Sequence, residues 1–104
     1  MPEIVYYERP DGSCPFSTWF DSLDPVPAAR VATAIDRMAD GHRGDVKPVG
    51  EGVSEWRINF GPGYRVYFGQ DGRDLILLLT GRTKKRQQAD VRQARLLWAE
   101  YKRR

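Results

Sequence analysis

The stretch SEWRINFGPGYRVYFGQ, Ser54 to Gln70, constrains the fold more than any other part of the chain. Two runs of alternating apolar and polar residues flank Gly61-Pro62-Gly63. Alternation with a period of two marks a β-strand with one face buried, so the stretch predicts a hairpin. Placing Phe60 opposite Tyr64 pairs Asn59 with Arg65, Ile58 with Val66, Arg57 with Tyr67 and Trp56 with Phe68. The even positions, from Trp56 to Phe68, then share a core face. The odd positions Glu55, Arg57, Asn59, Arg65 and Tyr67 share the other face, predicted open to solvent. A slip of one residue would exchange the two sets.

The flanking segments supply the rest of a small domain. Residues Glu3 to Arg9, EIVYYER, are β-branched and aromatic and predict a strand. After a PDGS turn, Pro15 suits the first turn of a helix. Phe16, Trp19, Phe20 and Leu23 follow at helical spacing, and Val31, Ala34, Ile35 and Met38 repeat it after a Pro25/Pro27 corner. Gly41 to Gly52 is Gly-, Pro- and charge-rich and predicts a long loop. Asp71-Gly72 predicts a turn. LILLLTG, from Leu75, is an apolar run that reads as a central strand covered on both faces. From about Arg86 a last helix shows the stripe Val91, Ala94, Leu97, Trp98 and Tyr101. The order β-α-α-β-β-β-α predicts an α+β fold. Its small sheet is mainly antiparallel and four-stranded, with helices packed on one face. At 104 residues, one domain spanning 1–104 is expected.

Charge is unevenly placed. Arg82 to Arg104 holds nine Lys and Arg against two acids, while the preceding residues hold eight against twelve. A basic C-terminal quarter points to a polyanionic partner. With one histidine, His42, and one cysteine, Cys14, neither a disulfide nor a zinc site of nitrogen and sulfur ligands can form within the chain. No metal or cofactor is expected. Cys14 has no histidine near it in sequence and reads as a packed thiol. The longest apolar run, Leu75 to Leu79, is strand-sized, and no signal pattern opens the chain. A cytoplasmic protein without membrane contact is expected.

Arg57 and Arg65 on one open sheet face invite two readings. An Arg–Glu surface network with Glu55 would be inert. An anion-binding surface would use the guanidinium groups for phosphate and Tyr67 as a stacking platform. The stretch GRTKKR should bring Arg82, Lys84, Lys85 and Arg86 to the rim of the same face, which favours the second reading.

The residues EGVSEWRINFGPGYRVYF, LILLLTG and the pattern Lys84, Gln87, Asp90, Ala94 resemble the RelE/ParE superfamily of bacterial toxins from toxin–antitoxin pairs. The HigB-like branch, often described as addiction-module killer proteins, is the most similar, and the resemblance covers nearly the whole chain. It implies the toxin of a type II module, inhibiting growth by metal-independent endoribonuclease cleavage of mRNA on the ribosome. The alternatives are a non-enzymatic inhibitor of DNA gyrase, as ParE members are, and an inactive homologue within a repressor complex. It further implies a small antitoxin partner, acidic or of helix-turn-helix type.

In the ribonuclease members the ribose 2′-OH attacks the adjacent phosphate while basic side chains stabilise the charged transition state. Arg65 matches the family's arginine in the GYR strand. The Arg82–Lys85 loop matches its second basic cluster in place, though Gly81-Arg82-Thr83-Lys84 stands where the branch usually has Gly-Gly-x-Lys. No tyrosine follows Gly81 until Tyr101, a stripe position. Tyr67 or Lys84 would have to act as base, each tuned down from an ordinary pKa of about 10. The catalytic expectation is thus Arg65, Lys84 and Tyr67. Arg57, Asn59, Arg82, Lys85 and Arg86 are the expected RNA-binding residues.

Overall fold

The computed structural model describes residues 2–42, 44–83 and 87–104. Among them the chain forms β1 (Glu3–Tyr6), α1 (Pro15–Asp21), α2 (Pro25–Ala39), β2 (Asp45–Gly50), β3 (Val53–Ile58), β4 (Tyr64–Asp71), β5 (Leu75–Thr83) and α3 (Gln87–Arg103). The α+β class stands, but the four-stranded sheet does not. Five strands run in the order β1-β5-β4-β3-β2. β1 is parallel to β5 and every other pairing is antiparallel, so the sheet is mixed.

The additional strand, β2, lies in the segment expected to be a loop. Its alternation is hidden because its two packed apolar residues, Val46 and Val49, stand three apart and so face opposite sides of the sheet, and a register shift follows between Pro48 and Gly50. Pro48 lacks a ladder donor, which an edge strand tolerates and a central one does not. Glu51, at φ 56°, and Gly52, at φ 86°, then turn the chain back into β3.

The hairpin register differs from the expected one by two residues. Ile58 faces Tyr64, Arg57 faces Arg65 and Glu55 faces Tyr67. The Gly63 amide donates to the Phe60 carbonyl at 2.9 Å, so Phe60 opens a tight turn and cannot serve as a strand partner. A shift of two preserves the face of every side chain, so the even and odd sets stand as read.

Helices cover both faces, not one. α1 and α2 pack on the even face, where Phe16, Val31 and Met38 meet Trp56, Tyr64, Val66, Phe68, Ile76 and Leu78. α3 crosses the odd face. Its Ala94, Leu97, Trp98 and Tyr101 bury Val53, Tyr67, Leu77 and Leu79. A β5 covered on both sides requires this second layer, since Leu75, Leu77 and Leu79 would otherwise meet water. Two strand glycines set the helices close. Trp98 rests over Gly69 of β4 and Trp19 over Gly81 of β5, with no room for a Cβ at either position. α3 is tied down at its C-terminal end, where Tyr7 and Arg9 donate to Glu100 and Tyr101 donates to Asp71.

Candidate functional site

α3 leaves uncovered the end of the odd face nearest the Gly-Pro-Gly turn. There Arg57 of β3 pairs with Arg65 of β4, and Arg65 pairs with Arg82 of β5. Three arginines thus stand side by side across three adjacent strands, whose spacing is about 4.8 Å. Like charges so close repel unless compensated, and three acids compensate them. Asp45, paired with Arg57 from β2, takes a hydrogen bond from it at 2.9 Å. Asp90, in the first turn of α3, accepts from Arg82 Nε at 2.7 Å. Glu55 lies two residue pairs further in on the same face, 4.0 Å from Arg57 Nε and 3.9 Å from Arg65 Nε.

The three guanidinium groups are unequally engaged. Arg57 and Arg82 each hold a short ion pair, whereas Arg65 has the long contact to Glu55 alone among the described residues. Arg65 is therefore the arginine with donors to spare. It lines a recess of about 140 Å³ together with Arg57 and Asn59, beside Pro62, Gly63 and Tyr64. The fold thus brings together Arg57, Asn59 and Arg65, and sets Arg82 next to Arg65 in the same row.

The row beneath is buried. Glu55, Tyr67 and Thr80 occupy paired positions on β3, β4 and β5. Glu55 and Tyr67 are wholly inaccessible, so Tyr67 is not the exposed stacking platform expected of an open face. Burial first, and then the negative charge of Glu55, push the Tyr67 hydroxyl well above its ordinary pKa. It stays a neutral phenol at physiological pH and is removed from contact with any ligand, so neither a stacking nor a base role fits it. The cause is α3, which covers this part of the odd face. The carboxylate oxygens of Glu55 and the Tyr67 hydroxyl close no hydrogen bond. A buried carboxylate is costly unless paired, and the two flanking arginines provide that pairing. Glu55 thus holds the inner sides of Arg57 and Arg65 while their outer atoms face the recess.

Lys84, Lys85 and Arg86 lie outside the described residues. His42 lines a cleft shared with Arg57 and Asn59, beyond the hairpin edge. His42 is distant from the hairpin in sequence, and the closure of β2 onto β3 brings it near. Asp90 was part of the family-like pattern, but its role as partner of Arg82 had no local sign. Among the described residues no group of three or more His, Cys, Asp or Glu side chains converges as metal ligands would. Nor is any described helix long and apolar enough to cross a membrane.

Compared with known proteins, the chain is 40% identical over 86 residues to an uncharacterized protein of Haemophilus influenzae (strain ATCC 51907 / DSM 11121 / KW20 / Rd). The match covers 82% of this chain and 87% of that protein. The chain belongs to that protein's family. No family model matches it. Kinship over most of both lengths makes the fold a shared property, while the chemistry of the arginine row rests on its own geometry.

Proposed function

We propose that the chain is the toxin of a type II toxin–antitoxin module, a HigB-like member of the RelE/ParE superfamily. It inhibits growth by cleaving mRNA on the ribosome, in the cytoplasm and without a metal. The observation that carries this reading is the under-engaged Arg65 guanidinium, set between Arg57 and Arg82 and opening into a recess it shares with Asn59. A planar guanidinium with free donors binds phosphate bidentately. Placed beside two further cations, it favours the extra negative charge that develops on the non-bridging phosphoryl oxygens as a ribose 2′-OH attacks. That attack forms the 2′-O–P bond and breaks the P–O5′ bond. The products are a 2′,3′-cyclic phosphate and a 5′-hydroxyl end. The 2′-OH proton goes to a base and the departing oxygen gains one. With Tyr67 buried, Lys84 is the base we propose, with Lys85 and Arg86 adding phosphate contacts.

One observation favours the gyrase-inhibitor alternative. The described residues lining the recess include no imidazole, amine or carboxylate to accept the proton. Inducing the chain in cells separates the two readings. Ribonuclease action predicts new 5′-hydroxyl ends within translated mRNAs and unchanged plasmid supercoiling. Altered supercoiling without such ends would establish gyrase inhibition instead. The partner we propose is a small antitoxin that lays acidic side chains over Arg57, Arg65 and Arg82, so its association slows as salt rises.

A further inference from the structure

A second basic surface lies on the other side of the hairpin edge. α2 and the end of β3 enclose a cleft of about 350 Å³. Arg30 and Arg37 line it from α2. They are seven residues apart and so stand on one helical face about 10.5 Å apart along the axis. His42 joins them just beyond the helix. The Arg30 guanidinium lies over the Phe60 ring at 4.4 Å from its centre. Neither Arg30 nor Arg37 makes an ion pair within 4 Å among the described residues. Of the acids, only Asp45 is found among the lining residues, and its carboxylate is held by Arg57. Among the described residues no ion pair compensates the two arginines, in contrast to the compensated row on the opposite face.

The cleft adjoins the recess across the end of β3. Arg57, Ile58 and Asn59 line both. A strand held at Arg65 has only the end of β3 to cross before reaching Arg30. We propose that the cleft is a second RNA-binding site, which takes the single-stranded segment adjoining the phosphate held at the arginine row. The inference rests on the RNA reading of that row. Arg30 and Arg37 contact backbone phosphates, and the Arg30–Phe60 stack offers a cation–aromatic surface for an unpaired base. An acidic protein segment would satisfy the charges as well, but it has no need of a wall shared with the recess.

Length-dependent binding tests this. The full chain is titrated with a 2′-O-methyl trinucleotide and a 2′-O-methyl dodecanucleotide, which bind without being cleaved. The double variant R30Q/R37Q should weaken the dodecanucleotide severalfold and leave the trinucleotide unchanged. Two lost phosphate contacts should flatten the slope of log K against log salt by about 1.4. Arg37, which makes no cation–aromatic contact among the described residues, should flatten it by about 0.7 when changed alone to Gln, and this guards against a folding defect from loss of the Arg30–Phe60 stack. Arg65→Ala should weaken both oligonucleotides. An unchanged dodecanucleotide slope in the double variant overturns the second site and leaves the arginine-row reading standing. An equal loss on the trinucleotide overturns it as well, by merging the two surfaces into one footprint. Weakened binding of polyglutamate with RNA unaffected would assign the cleft to an acidic protein partner. No binding of either oligonucleotide by the unaltered chain overturns the second site, while the proposed function is judged by the 5′-hydroxyl ends formed in cells.

Discussion

Glu55 lies beneath Arg65 with its carboxylate wholly buried and 3.9 Å from the guanidinium Nε. The arginine that faces the recess is thus also the counter-ion of a buried charge. Arg65→Ala should therefore do two things. It should abolish growth inhibition, and it should destabilise the fold by about 1 to 3 kcal/mol, more than an ordinary surface change, because Glu55 keeps only Arg57. Arg65→Lys should retain most of the stability and lose most of the activity, since an ammonium replaces charge but not the bidentate fork. Urea titration and growth curves on both variants check this. A stable, fully toxic Arg65→Ala variant would defeat the anion-site reading.

Tyr67→Phe should leave toxicity intact. The hydroxyl is buried, closes no hydrogen bond, and has a pKa raised by burial and by Glu55. Removing an unsatisfied buried hydroxyl should be neutral or stabilise the protein by up to about 1 kcal/mol. Loss of toxicity with an unchanged melting curve would return Tyr67 to the site.

Gly69→Ala and Gly81→Ala should each cost about 1 to 3 kcal/mol, the usual range for overpacking a dense core. Each added methyl would meet an indole ring, that of Trp98 in one case and of Trp19 in the other. Thermal melts of the two variants test whether these glycines seat the helices. Unchanged midpoints would mean that the tryptophans can move aside.

The lock on α3 should carry an acid dependence. Hydrogen bonds from Arg9 and then from Tyr7 hold the Glu100 carboxyl below its ordinary pKa. A depressed folded-state pKa means that this contribution is fully present above the unfolded value, about 4.3. It is lost as pH falls from there through the lower folded value. The urea midpoint of the natural chain should therefore decline in that window, and Glu100→Gln should flatten the decline. Parallel acid limbs for the two proteins would place the effect elsewhere.

Much of this arrangement is written locally. The alternation around Gly61-Pro62-Gly63 determined which side chains of β3 and β4 share a face, because a period of two survives a register error of two. The spacing of Phe16, Trp19 and Phe20, and of Val91, Ala94, Leu97 and Trp98, determined the buried stripes of α1 and α3. The apolar run of β5 determined a strand with neighbours on both sides. Arg57, Asn59 and Arg65 were legible as one group for the same reason.

Tertiary structure decided the rest. The turn that captures Phe60 set Arg57 opposite Arg65, and the bulge between Tyr67 and Phe68 set Arg82 beside them, so the three-arginine row exists only once β3, β4 and β5 are paired. A stripe on α3 declares that the helix must pack but not on which face. Its choice of the odd face buried Tyr67 and Glu55 and confined the open surface to the sheet's end. β2 shows no alternation because its packed residues Val46 and Val49 lie three apart on opposite faces with Pro48 between them, and only its pairing with β3 brings Asp45 to Arg57 and His42 to the cleft. Side-chain periodicity is a property of neighbours in sequence, whereas register and the side on which a helix lands are set by contacts between residues far apart along the chain.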